Sequence, residues 1–518
     1  MEINLKNRTG NTVRNTAVGM AAQMIQILSS FICRMIFVRV LTEAYLGVNG
    51  LFANILSILS LSELGISSAI KYELYHALAY EDKENAKSLM AFYKRAYVMI
   101  GLIIAGAGLL LMPFVSRLVT LDSGIKESVY LLYSLYLLNT VISYFFSYRT
   151  TIIEAAQQNY VLTLCHTAVT IFQNVSQCIV LLVTKNFVTY LLIQVFCTFL
   201  YYYLSSRKAV EMFPFLLEKE IAPIQPEQKK RLFRNTKDLF ITSISGKLIT
   251  QTDNIIITML GGLVSTGLNS NYSMLLSTLI SLTSKIDDAI MSSLGNVNAV
   301  ESKERRLTLF YEIHFFYFWF YFWCACCFIL LVQDAISLFF GAKYVMPFSV
   351  AVITGLNLYT TEEGRLLDVF KDTMGLFRYG KYVRLATGII NVLASVMLGR
   401  IWGVSGVLFA TFLSLILTTR WYLPFVTFRY GFETSSLGYF KKDLLFWAEG
   451  ILIFLITMFL CTRFSFGPVG NLACRMVICV IVPNLLLYLI HRNDPRFLSI
   501  RTRLEGIAAK FIKRKETS

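Results

Sequence analysis

Residues 14–68 read RNTAVGMAAQMIQILSSFICRMIFVRVLTEAYLGVNGLFANILSILSLSELGISS. A long apolar run, Asn15 to Leu41, is broken near its far end by Arg34 and Arg39. The turn Thr42-Glu43-Ala44-Tyr45-Leu46-Gly47 follows, and a second apolar run, Val48 to Ser68, carries one acid, Glu63. Each run is long enough to cross a hydrocarbon core of about 30 Å as a helix, so the stretch is a membrane hairpin. Its layout recurs. Arg14-Asn15-Thr16 reappears as Arg234-Asn235-Thr236, and under that same offset Gly47 falls on Gly267, Asn49 on Asn269 and Ser57 on Ser277. Weak internal repetition of hydropathy and turn residues is how two-lobed transporters show themselves in sequence.

The rest of the 518 residues has the same character. The chain is 56% hydrophobic and 15% charged, with a mean hydropathy of +0.59. Soluble domains carry about 25% charged residues, so the class is an all-α polytopic membrane protein. Fourteen spans are expected. After the first two they start near Ala96, Val129, Val161, Phe187, Thr236, Leu268, Leu307, Met346, Val383, Val404, Leu444 and Leu472. The implied organisation is an N-terminal six-helix lobe over 1–204, a linker over 205–235 and a second six-helix lobe over 236–423. Two further spans over 444–490 and a basic tail over 491–518 complete it. The first apolar run is read as a retained helix, since no small-residue cleavage site follows it.

A net charge of +16 would suggest nucleic acid in a soluble protein. In a membrane chain it sets orientation instead, and no nucleic-acid partner is expected. Connections after odd-numbered spans hold few cations (Arg39, Arg117, Lys126, Lys185, Lys343, Arg400, Arg463, Arg475), and most of the 48 Lys and Arg lie on the other face. Positive charge stays inside, so both termini are placed in the cytoplasm. The linker, with Lys229-Lys230-Arg231, reads either as a hinge between moving bundles or as a basic loop on an anionic leaflet. The tail interleaves cations with Phe497, Ile507 and Phe511 in the manner of a surface helix. The ten cysteines and four histidines show no zinc spacing, and no metal or organic cofactor is expected. No phosphate-binding Gly-Lys-Ser/Thr loop is present.

Charges inside spans are expensive and mark candidate sites. Counted along the helix from Arg234 at the inner face, Lys247 stands about 20 Å up. Counted likewise from Arg14, Arg34 stands about 30 Å up. Lys285 is a third cation in this set, and Glu63, Asp253 and Asp287 are acids placed to pair with them or carry a coupling ion. Two readings stand: a wet cavity whose cations hold an anionic headgroup through charge-assisted hydrogen bonds, or structural ion pairs in a packed interface. Arg365 with Glu362, Glu363 and Asp368 reads as a local network at the end of the tenth span. The stripe Thr16, Gly19, Gln23, Gln26, Ser30 suits either a glycan route or helix-to-helix adhesion. The aromatic run Phe315 to Trp323 reads as lipid contact and interfacial anchoring.

Leu41 to Leu51 and Leu61 to Ile70, with Thr252-Asp253-Asn254-Ile255-Ile256-Ile257 followed by Gly267 and Tyr272, resemble bacterial polysaccharide exporters. These are the oligosaccharide-lipid flippases (Wzx-like) of the MOP (MATE-like) exporter superfamily, which also holds lipid II flippases. The resemblance implies two six-helix bundles around a central cavity with two extra C-terminal helices. It implies alternating access for a polyprenyl-pyrophosphate-linked oligosaccharide, an ion gradient or membrane potential as driving force, and location in the bacterial cytoplasmic membrane. The lipid-linked oligosaccharide, membrane lipids, a polysaccharide polymerase and glycosyltransferases are the implied partners. By position in their spans, Arg34 and Lys247 correspond to the family's cavity cations. A multidrug exporter of the same superfamily is an alternative that would want an acid in its binding lobe. A membrane glycan polymerase or ligase is another, and would want a large external catalytic loop, which the sequence lacks.

Overall fold

A computed structural model describes residues 8–60, 66–120, 125–218, 221–300, 302–376, 379–464, 466–503 and 505. Every regular element among them is helical. In order they are α1 Arg8–Val40, α2 Glu43–Leu59, α3 Ile66–Ala79, α4 Lys83–Thr120, α5 Val129–Ser147, α6 Thr150–Ala155, α7 Asn159–Thr184 and α8 Phe187–Met212. Then come α9 Pro226–Val300, α10 Lys303–Phe339, α11 Phe348–Thr373, α12 Lys381–Trp402, α13 Val404–Leu417, α14 Thr419–Val426, α15 Leu437–Arg463 and α16 Pro468–His491.

Among the described residues, ten helical stretches are long and apolar enough to cross a membrane, which makes this a multi-pass membrane protein. They coincide with ten of the fourteen expected spans. The other four differ for identifiable reasons. The second falls on α2, which has 17 residues and ends before the undescribed positions 61–65. The seventh and eighth are both contained in α9, a 75-residue element broken by non-helical backbone at Gly262. The tenth, α11, carries Glu362, Glu363, Arg365, Asp368, Lys371 and Asp372 and so fails on apolarity.

The break in α9 is informative. Gly262 has φ 75° and ψ 176°, a conformation open essentially to glycine alone. Its counterpart under the repeat offset is Thr42, the extended residue that separates α1 from α2. Beyond each break a glycine meets the other hairpin's backbone. A Cβ on Gly47 would fall on the carbonyl oxygen of Leu263, and a Cβ on Gly267 would fall on that of Glu43. The two glycines are repeat counterparts, and so are the residues that own the two carbonyls.

The described chain forms two compact units, Met1–Gly267 and Leu268–Ser518. In the first, α1 packs along α7, α7 on α8, and α5 between α4 and α8. Its centre is aromatic: Phe52 meets Tyr133 and Tyr136 edge-on, at 5.3 and 5.5 Å between ring centres. The linker is tied to this unit. Lys87 pairs with Glu218 at 2.7 Å, Ser88 Oγ donates to the carbonyl of Ala222, and Arg231 Nε donates to the buried Glu73 at 2.8 Å.

In the second unit α10 is the hub, packed by α11, α15 and α16. Its span is 67% buried, against 17–39% for the other nine candidate spans. Five of the nine residues in the aromatic run are therefore buried rather than turned to lipid as expected. Phe315, Tyr317, Phe318, Tyr321 and Phe322 are core residues, and Phe318 stacks on Phe446 of α15 at 4.2 Å. Apolarity alone does not distinguish a helix covered on all sides from one exposed on one side. Residues 495–503 continue the helical path, and Ser499 and Arg503 bind Glu312 of α10 at 2.8 and 2.7 Å.

Candidate functional site

The candidate cations of the first unit have different surroundings. Arg34 is half-buried on α1, close enough to Tyr136 of α5 and Tyr190 of α8 to act electrostatically on both. Lys247 is half-buried on α9, and its ammonium donates to the carbonyl of Ser57 at 2.8 Å. Ser57 lies in the last turn of α2, where carbonyls lack intrahelical partners and the helix dipole is negative. Lys247 thus caps α2. Asp253 is half-buried on the same helix. Glu63 lies outside the described residues.

The polar stripe of α1 has a structural use. Gln26 donates to Thr167 at 2.7 Å, and Asn174 donates to Ser29 and Ser30 at 3.0 and 3.2 Å. These bonds join α1 to α7, so at Gln26 and Ser30 the adhesion reading holds.

In the second unit, Lys285 is exposed and Asp287 is buried. Asp287 accepts from the hydroxyls of Tyr317 (2.7 Å) and Tyr321 (2.8 Å) and from Arg365 Nη1 (3.3 Å). Arg365 also holds Glu362 one turn earlier, at 3.1 Å. The charges of α11 form the expected local network, with Asp368 bound to Arg384 at 2.6 Å. The sequence reading missed its other half. Glu363 turns toward His314 of α10 and Arg420 of α14, both of which also face Asp443 of α15. The signal for it was an adjacent acid pair on one helix, Glu362-Glu363, whose members must point to different sides.

The comparisons with known proteins fit this architecture. No curated protein matches the sequence. Among solved structures, the lipid II flippase MurJ in an inward closed conformation superposes with a TM-score of 0.64 at 13% identity, covering 92% of this chain and 98% of that one. An inward-facing multidrug resistance MATE family transporter of the MOP superfamily gives 0.57 at 15% identity, over 78% and 96%. A MOP superfamily transporter from Pyrococcus furiosus, described as having a binding pocket of reverse polarity, gives 0.55 at 14% identity, over 81% and 95%. At these identities the likeness is one of fold. A family model described as polysaccharide biosynthesis protein matches residues 12–289, more than half of the chain. The chain belongs to the polysaccharide biosynthesis protein family.

Proposed function

We propose that the protein is a flippase. It would carry a polyprenyl-pyrophosphate-linked oligosaccharide from the inner to the outer leaflet by alternating access, in the assembly of capsule, exopolysaccharide or another surface polymer. The family match over residues 12–289 is the observation that carries the reading. The fold likeness to a lipid II flippase over 92% of the chain supports it, and so does the half-buried placement of Arg34 and Lys247 on α1 and α9. In this reading residues 1–204 and 236–423 are the two moving lobes, joined by the linker over 205–235. The pyrophosphate is gripped by Arg34 and Lys247, whose cationic N–H donors suit phosphate oxygens, while Lys285 attracts the headgroup and the prenyl chain stays in lipid. Glu63 and Asp253 balance these cations in the empty state or carry a coupling ion, an ion gradient or the membrane potential drives the cycle, and both termini are cytoplasmic.

Translocation of a fluorescent lipid-linked oligosaccharide in vesicles tests this. Wild-type protein should move it, and Arg34→Ala and Lys247→Ala should each slow it at least tenfold at equal incorporation. Normal transport by both variants removes the site assignment, and no transport by the wild type removes the function. A second reading is favoured by the likeness to a multidrug resistance MATE family transporter. A drug-susceptibility panel in a sensitised host separates the two: a flippase leaves the panel unchanged.

A further inference from the structure

His314, Glu363, Arg420 and Asp443 come from four helices of the second unit, α10, α11, α14 and α15. His314 and Glu363 are each 1% exposed and Arg420 is 9% exposed. Arg420 bridges the carboxylates: Nη1 contacts Glu363 Oε2 and Nη2 lies 3.2 and 3.3 Å from the two oxygens of Asp443. His314 Nε2 stands 2.9 Å from Glu363 Oε1 and 3.9 Å from Asp443 Oδ1. The 2.9 Å contact is close enough for an ion pair, yet its direction falls short of a hydrogen bond, so both ring nitrogens remain without one. The hydroxyls of Tyr359 and Tyr439, also buried against this group, have no partner either. Phe310 stacks on the imidazole at 5.8 Å, and Tyr439 and Phe446 pack on it at 4.9 and 5.3 Å.

The charges do not balance. Two carboxylates face one guanidinium, which leaves one negative charge in a largely buried pocket, a state that is costly unless a further positive charge enters. Lys442, beside Asp443 in the chain, lies over the Tyr311 ring at 3.6 Å, and other neighbouring charges are engaged elsewhere. On α11, Glu362 turns to Arg365, and on α10, Glu312 turns to Ser499 and Arg503. His491 of α16 pairs with Glu449 of α15, and Arg496 lies over Phe446 while bound to Asp494.

A metal would accept the spacing, since the His314, Glu363 and Asp443 donor atoms lie within 4.8 Å of one another. The charge argues against it: Arg420 already spans both carboxylates, and a divalent ion would turn a deficit of one into an excess of one. An alkali ion makes a poor partner for imidazole, whose nitrogen suits transition metals and protons. Imidazole is the member of the set whose ordinary charge change falls between pH 5 and 8.

We propose that this cluster is a binding site for a single proton, carried on His314. With the proton aboard, the four groups are neutral in sum and the imidazolium is held by Glu363 and Asp443. When the proton returns to water, one negative charge is left and the grip of α10 on α11 and α15 loosens. The proton site stands whatever the protein transports; its use as the coupling ion rests on the flippase reading.

Proton uptake by the purified full chain in detergent, after a jump from pH 8.5 to 5.5, tests the site. His314→Gln should take up one proton fewer per chain than the wild type. Glu363→Gln and Asp443→Asn should lose the same proton, because Arg420 and the remaining carboxylate then balance without it. Three variants spread the risk that any one fails to fold. Wild-type uptake in any folded variant of the three overturns the proposal. Failure of the wild type to move a lipid-linked glycan would instead remove the flippase reading and leave the uptake result standing.

Discussion

At Lys247 two roles compete for one ammonium. Its bond to Ser57 places a positive charge on the orphan carbonyls that end α2, and such an interaction contributes about 0.3–2 kcal/mol. Lys247→Met keeps the aliphatic stem and removes the charge. It should lower stability by about 1 kcal/mol, seen as a lower melting temperature of the purified protein. A melting temperature equal to wild type would show that α2 does not need the cap and that the lysine is kept for substrate. Asp287 is the more heavily committed residue. Asparagine there loses the charge that draws two tyrosine hydroxyls and Arg365. Hydrogen bonds to a charged group contribute about 1.5–3 kcal/mol each, so Asp287→Asn should cost more stability than Tyr321→Phe. If the tyrosine variant proves the more damaging, the carboxylate is not the centre of that network.

At the scale of elements, the start of α2 and the stretch after Gly262 approach with no room for a side chain. Gly47→Ala and Gly267→Ala each put a methyl group on a backbone carbonyl, which cannot rotate away. Overpacking of this kind costs about 1–3 kcal/mol. The double variant should cost less than the two singles added, since both force the same pair of segments apart. Gly106→Ala, with nothing within 4 Å of its would-be Cβ, is the control and should be neutral in a melting experiment. A Gly47→Ala as silent as Gly106→Ala would mean that the segments separate freely. The two glycines were legible in the sequence because turns and close approaches leave a residue-type signature. The role of α10 was not: Phe315 to Trp323 has the composition of a lipid-facing helix, and only the positions of α11, α15 and α16 decide that it is core. The His314 cluster was hidden for a related reason. Its members are spread along the chain from His314 to Asp443, each on a different helix, and no local spacing joins them. Arg365, Glu362 and Asp368, within two turns of one helix, were visible.

For the whole molecule, topology turns on how often the chain crosses the bilayer. Ten stretches qualify on apolarity; α2, the two parts of α9, and α11 are the remainder of a fourteen-span chain. The case of α11 is decisive because its acids are paired inside the bundle: the buried Glu362 and Glu363 meet Arg365 and Arg420, and Asp368 meets Arg384. A helix whose charges are paired inside a bundle can cross where an isolated one would not. If α11 crosses, Lys343 before it and Gly380 after it face opposite sides of the membrane, and everything downstream keeps its orientation. Single cysteines at 343 and 380, placed in a chain with its native cysteines replaced, should then react with a membrane-impermeant thiol reagent from opposite sides. Cysteines at 216 and 493 should share the side of the one at 380, as the distribution of cations requires. Labelling of 343 and 380 from the same side would leave α11 as a re-entrant or surface element. It would invert α12 to α16 and move the C-terminal tail to the outer face, where its cations violate the orientation rule.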